Sequence, residues 1–190
     1  MTPTLPSFPR RPLPLLLLGA LLLGAAPAAA GVRVGDVAPS FTLPDATARP
    51  IALAGLRGRI VVLDFTASWC VACRTALPAL AALGARYANR GVEVVTVVID
   101  ASRPNAERFL AEVVPAHRMT VLFDPTAQLL ARFGPAGMPA LYVIDGSGIV
   151  RLVESGYGAE RIAAVEAAVT RLLAAGETPR QATLPAIPSD

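Results

Sequence analysis

Residues 60–65, Ile-Val-Val-Leu-Asp-Phe, form a nearly continuous β-prone apolar run, as a strand covered on both faces requires. A second run of the same kind spans residues 92–99. Between the two, residues 71–88 place Leu77, Leu80, Ala81, Leu83, Ala85 and Tyr87 mostly at helical spacing. Two buried strands joined by a helix make a βαβ unit, and with it a parallel sheet and an α/β fold. Pro78 interrupts the helical stretch and is expected to kink it, because it lacks an N–H and crowds the preceding turn. Asn89-Arg90-Gly91 supplies a C-terminal cap.

The remaining segments fit around this unit. Residues 40–43 and 50–53 read as short strands of a hairpin at the domain's entry, followed by a turn at 55–59. After the second long strand, residues 100–104 form a turn with capping residues and 105–114 a short helix, with a loop over 115–118. A short strand at 121–123 precedes Asp124-Pro125-Thr126, which is expected to open a helix through about Phe133 with proline in its first turn. Residues 134–139 are a dense Gly/Pro turn. Residues 140–144 and 149–153 flank Asp145-Gly146-Ser147-Gly148 and read as an antiparallel hairpin. The alanine-rich stretch 159–174 carries Ile162, Val165, Val169, Leu172 and Leu173 on one helical stripe. No internal repeat is visible.

At 190 residues with 54% hydrophobic content, the chain suits one domain with appendages and has ample material for a core. All seventeen basic residues are arginine. Setting aside Arg10 and Arg11 leaves 15 basic against 14 acidic residues, and no basic run or patch is apparent, so nucleic-acid binding has little support. Residues 1–30 read as an export signal. Arg10 and Arg11 precede the apolar stretch 13–23, and Ala28-Ala29-Ala30 fits the small-residue rule for cleavage before Gly31. The alternative is a retained membrane anchor, for which the apolar run is short against the roughly 20 residues of a full span. Either reading puts the domain, residues 31–175, in the periplasm or another extracytoplasmic space where disulfides persist. Residues 176–190, with three prolines, are expected to be a disordered tail.

The two cysteines, Cys70 and Cys73, lie where the first long strand hands over to its helix. Unpaired backbone N–H groups and the positive end of the helix dipole stabilise a thiolate there, lowering its pKa from roughly 8.5 into a range of about 3.5 to 7.5. The spacing lets Cys70 attack a partner disulfide and Cys73, one turn along, displace the partner from the mixed disulfide. Cys70 is then the exposed nucleophile and Cys73 the more buried resolving thiol. A purely structural disulfide is the plainer alternative, but a loop this small restrains little of the unfolded chain. Zinc is poorly served, since one C-x-x-C pair and a distant His117 do not supply four ligands. A Cu(I) reading would recruit Cys70, Cys73, His117 and Met119 or Met138; otherwise His117 is a solvated loop residue. Asp64 sits mid-strand, six positions before Cys70. A buried carboxylate is costly unless paired or protonated. It either finds the strand's edge or a backbone partner, or it has a raised pKa and relays a proton to a nearby thiol. Pro139, in a Gly-rich turn before a strand, is a plausible cis site.

These residues resemble the thioredoxin superfamily, and within it the exported TlpA/ResA-like thiol-disulfide oxidoreductases. The resemblance rests on residues 64–74 (DFTASWCVACR), Pro78, Gly137-Met138-Pro139, and Tyr142-Val143-Ile144-Asp145 with Gly148. The entry segment 37–45 and the turn 55–58 match the exported subgroup. Together these cover roughly residues 35–173. The resemblance implies a thioredoxin fold: a central mixed β-sheet flanked by helices, with an N-terminal β-hairpin extension. It also implies Cys70 as nucleophile, Cys73 as resolver, Asp64 as buried proton-transfer acid, Trp69 as a wall beside the pair and Pro139 as a cis-proline. Met138, before that proline, would offer backbone hydrogen bonds to a substrate strand. Val71-Ala72 departs from the dipeptides usual in thioredoxins and TlpA-like proteins and is similar to that of the C-terminal domain of DsbD. Thr66 stands where an aromatic residue is frequent.

The expected activity is reduction of disulfides in other exported proteins, for example during cytochrome c maturation or copper-site assembly. No cofactor is required, and a membrane-embedded, DsbD-like protein is the expected electron donor. A disulfide oxidase or isomerase and a Cu(I)-binding metallochaperone are the alternative readings.

Overall fold

The computed structural model describes residues 31–114 and 119–176. The expected leader, the loop with His117 and the tail from residue 177 lie outside the described residues. Twelve elements follow in chain order: β1 (Thr42–Pro44), β2 (Pro50–Ala52), a single 3-10 turn (Leu53–Leu56), β3 (Ile60–Thr66), α1 (Val71–Tyr87), β4 (Val92–Val98), α2 (Arg103–Val113), β5 (Thr120–Phe123), α3 (Gln128–Phe133), β6 (Ala140–Ile144), β7 (Val150–Ser155) and α4 (Ala159–Ala174). Among the described residues, no helix is long and apolar enough to cross a membrane.

The main sheet has five strands in the order β5-β4-β3-β6-β7. β3 is its centre, parallel to β4 and antiparallel to β6. All seven β3 residues are buried, which is why that stretch of sequence is apolar almost without interruption. Alternate residues serve opposite faces. Ile60 and Val62 pack with Leu80, Leu83 and Tyr87 of α1 and with Val165, Ala168 and Val169 of α4. Val61, Leu63 and Phe65 join a larger cluster that includes Phe109 and Leu110 of α2, Phe133 of α3 and Tyr142 of β6. Phe65, Phe133 and Tyr142 meet at ring-centroid distances of 4.7 to 6.1 Å, two of the three pairs edge to face. Burial pushes the Tyr142 hydroxyl up to about 12.

The chain ahead of β3 is bound to both margins of this sheet. β1 and β2 form a small antiparallel hairpin, and Asp45 just beyond β1 makes an isolated antiparallel bridge to Leu122 of β5. Asp45 organises that turn. Its carboxylate accepts from the Thr47 amide (2.7 Å) and hydroxyl (2.8 Å) and from the Arg49 amide and Nε, both at 3.0 Å. Hydrogen bonding, the Thr47 hydroxyl foremost, holds the Asp45 carboxyl well below the usual range. At the opposite margin Val37 bridges Ile149. There Gly35 N donates to Val150 O (2.8 Å), and Val150 N to Asp36 O (2.9 Å).

Several boundaries differ from the sequence expectation, and β1 covers residues 42–44 where 40–43 is expected. α2 begins two residues earlier, at Arg103, with Pro104 in its first turn. Part of the expected 55–59 turn is taken by the 3-10 turn. Pro125 is not in α3, which starts only at Gln128 after Ala127 adopts a left-handed φ of 52°. The physical reason is Asp124, whose carboxylate accepts from the Thr126 hydroxyl, Gln128 N and Leu129 N (2.8 Å for the last). The side chain thereby curls residues 124–127 into a turn and caps the helix from further upstream than expected. α1 runs from Val71 to Tyr87 with Pro78 inside it. α4 and the β6/β7 hairpin fall where the sequence places them.

Candidate active site

The central strand ends at Thr66, and residues 67–70 lead into α1 with Cys70 as its N-cap. Cys70 and Cys73 form a disulfide. Cys73 N, one of the orphan donors of the first helical turn, donates to Cys70 Sγ at 3.2 Å and to Cys70 O at 3.1 Å. The helix start thus presents a backbone donor to the sulfur that would carry negative charge once the disulfide is reduced. Cys73 is fully covered and Cys70 is 6% exposed. The expected order of burial holds, but Cys70 is less open than the sequence reading supposed. The flanking side chains are not: Trp69 is 64% and Val71 81% exposed, forming an apolar rim in solvent beside the pair.

Asp64 lies on β3 with 1% exposure, on the face shared with Ile60 and Val62 that α1 and α4 cover. Neither carboxylate oxygen has a hydrogen-bond partner among the described residues. Burial pushes its carboxyl up to about 7, an effect that the nearby Thr96 hydroxyl only partly offsets. Thr96 is its register partner on β4, and that hydroxyl is directed at Met119 Sδ (3.4 Å). The alternatives of an exposed strand edge or a backbone partner are thereby removed for Asp64. The Met138–Pro139 peptide is cis, and Met138 packs against the cluster that holds both cysteines.

Two features of this site were not read from the sequence. Asp100, just past β4, accepts from Ser68 N and from the Ser68 hydroxyl, fixing the turn before Cys70. A cleft of about 280 Å³ lined by Ser68, Arg74, Asn105, Arg108, Phe109 and Glu112 opens beside that turn. Arg74 is ion-paired to Glu112 and lies 5.5 Å from the Phe109 ring centre. The signal for Asp100 was its place directly after a buried strand, where an acid needs a partner. A second cleft, of about 310 Å³ between Phe41 and Arg132, includes neither cysteine. Among the described residues, no group of three or more His, Cys, Asp or Glu side chains is placed to hold a metal ion. His117 lies outside the described residues.

A mixed sheet whose central strand delivers a C-x-x-C pair to the start of a covering helix, with a cis-proline opening β6, is the architecture of the thioredoxin-fold thiol-disulfide oxidoreductases. The chain belongs to the AhpC/TSA family, whose model matches residues 34–153. It is similar to the thiol-disulfide oxidoreductase ResA of Geobacillus thermodenitrificans, at 30% identity over 125 residues, covering 66% of this chain and 71% of that protein. The Bacillus subtilis ResA is 29% identical over 125 residues, covering 66% and 69%. Among solved structures, a Chlorobium tepidum protein described as a thiol:disulfide interchange protein DsbE matches with a TM-score of 0.71 at 37% identity. That match covers 75% of this chain and 99% of the other.

Proposed function

We propose that this thiol-disulfide oxidoreductase works outside the cytoplasm as a reductant of disulfides in other exported proteins, such as those of cytochrome c maturation or copper-site assembly. In the reduced enzyme the Cys70 thiolate attacks a partner disulfide, forming a mixed disulfide and releasing one partner thiolate. The Asp64 carboxylate takes the Cys73 proton. The Cys73 thiolate then attacks Cys70 Sγ, expelling the second partner thiolate and leaving the Cys70–Cys73 disulfide. An external dithiol, supplied by a membrane-embedded DsbD-like donor, returns the pair to the reduced form. In this reading Trp69, next to Cys70 in the chain and exposed, and Met138, before the cis-proline Pro139, contact the substrate polypeptide.

The observation that carries this reading is that α1, the helix carrying a fully covered Cys73, also covers the β3 face of a buried acid without a hydrogen-bond partner among the described residues, whose carboxyl burial pushes up to about 7. Such an acid exchanges protons at working pH, which a structural disulfide would not need. The test is equilibration of the purified protein with glutathione and thioredoxin couples. A reductant is expected to poise nearer the thioredoxin value of about −270 mV. A potential near −120 mV, that of strong oxidants, would overturn the direction of electron flow.

A further inference from the structure

Three buried side-chain oxygens have no hydrogen-bond partner among the described residues: Oδ1 and Oδ2 of Asp64 and Oγ1 of Thr66. All three lie on β3. Residues two apart on a strand face the same side, with Cβ atoms about 7 Å from each other, so the orphaned hydroxyl and the orphaned carboxylate share one face of the sheet. Thr66 is fully buried. Its backbone is satisfied, with Thr66 O accepting from Ile99 N at 3.0 Å, so the side chain is not needed to complete the ladder. The antiparallel register pairs Phe65 with Ala140, and one further step sets Thr66 beside Pro139. Thr66 is therefore the last residue of β3, two positions past the buried acid and four before Cys70, the N-cap of α1.

Packing alone does not explain a threonine here. Valine has the same branched shape and avoids burying a hydroxyl without a partner, which is costly. A hydroxyl differs from every apolar alternative in being both donor and acceptor. A group beside a carboxylic acid that gains and loses a proton must serve two states. It accepts from the protonated acid and donates to the carboxylate. Thr96, whose hydroxyl is also directed at Met119 Sδ, only partly offsets the effect of burial on Asp64, and Thr66 carries the one hydroxyl on β3 left without a partner among the described residues.

We propose that Thr66 is a positioning residue for the proton on Asp64, its hydroxyl hydrogen-bonding the acid in both protonation states, directly after a side-chain rotation or across one internal water. The proposal rests on the reading of Asp64 as the acceptor of the Cys73 proton. The net step is unchanged: Cys73 S–H and the Asp64 carboxylate become the Cys73 thiolate and the Asp64 acid. Thr66 keeps its own proton overall and changes from donor to acceptor as the acid is protonated.

The test follows oxidation of the reduced protein by excess glutathione disulfide, using the fluorescence of Trp69, the single tryptophan. At high glutathione disulfide the remaining concentration-independent phase is the attack of Cys73 on the mixed disulfide. Thr66→Val is expected to unfold at or above the wild-type temperature and yet to slow this phase about fivefold. Thr66→Ala, which also lacks the hydroxyl, should slow it by a similar factor, and Thr66→Ser should restore it. In an Asp64→Asn background, Thr66→Val should have no further effect. Wild-type rates in both Thr66→Val and Thr66→Ala, or effects that simply multiply with that of Asp64→Asn, would overturn the proposal. If Asp64→Asn slows the phase and Thr66→Val does not, the positioning role falls while the reading of Asp64 stands. If Asp64→Asn itself leaves the phase unchanged, both fall.

Discussion

Asp100 accepts from both the amide nitrogen (2.8 Å) and the hydroxyl of Ser68, tying the end of β4 to the turn that delivers Cys70 to α1. The two residues are 32 positions apart. Their contact makes the position of the nucleophile depend on the parallel pairing of β3 with β4. Removing the acceptor leaves a half-buried amide unpaired and frees the turn. Asp100→Ala is expected to lose about 1–3 kcal/mol of stability and to slow attack on glutathione disulfide, whereas Ser68→Ala, which keeps the amide bond, should lose less of both. Urea unfolding and stopped-flow oxidation of the two variants measure this. Equal behaviour of both would show that the amide bond does not hold the turn.

Asp64 gives the protein a pH-dependent stability of definite sign. The folded chain holds its proton up to about pH 7, against 3.8 for the ordinary carboxyl. Between those values the native state binds more protons than the unfolded one, so this contribution is present in acid and is lost as pH rises through about 7. Asp64→Asn removes the titration. The oxidised variant should gain on the order of 2–4 kcal/mol over wild type at pH 8 and far less at pH 4. Urea unfolding at the two pH values is the measurement, and an identical difference at both would show that Asp64 does not titrate in this range.

Cys73→Ala is expected to stop the cycle at the mixed disulfide, because the only remaining thiol has already been used in attack. Expressed in a cell with its natural partners and separated without reductant, the variant should carry covalent adducts through Cys70 that dithiothreitol releases. A Cys70→Ala control should carry none, since Cys73 is fully covered. Adducts on the Cys70→Ala control in place of Cys73→Ala would reverse the two roles.

What the sequence discloses here is what depends on neighbours in the chain. The all-buried β3, the cysteine pair at a helix start and the β6/β7 hairpin follow from local apolar pattern and turn chemistry. So does the suspicion attached to Asp64, since an acid inside such a run is conspicuous wherever the strand ends up. Asp100 was visible only as a turn residue, because its contact with Ser68 depends on which strand lies beside β3 and in what register. The same holds for Thr96 beside Asp64. The sequence expectation for α3 starts three residues before the helix itself for a different reason. Asp124 and Pro125 are good helix openers, but one carboxylate can satisfy donors at 126, 128 and 129 only by turning the chain first. Ala127 takes the left-handed φ that this requires, a conformation for which alanine carries no sequence signal.

The segment ahead of β3 touches opposite margins of the sheet, and this sets an order of events as the chain is made. Residues 35–38 emerge about 110 residues before their partners at 148–150, and contacts of such long range form slowly. The cysteine pair, Asp64 and the Ser68–Asp100 contact all lie within the stretch from β3 to Asp100, a local βαβ unit. The two sulfurs can therefore reach their places while the outer strands still have open backbone, which invites pairing with other chains. The thiols are in place before the Met138–Pro139 turn and the covering α4 have been made, and a nascent chain of this protein is most in need of protection in that interval.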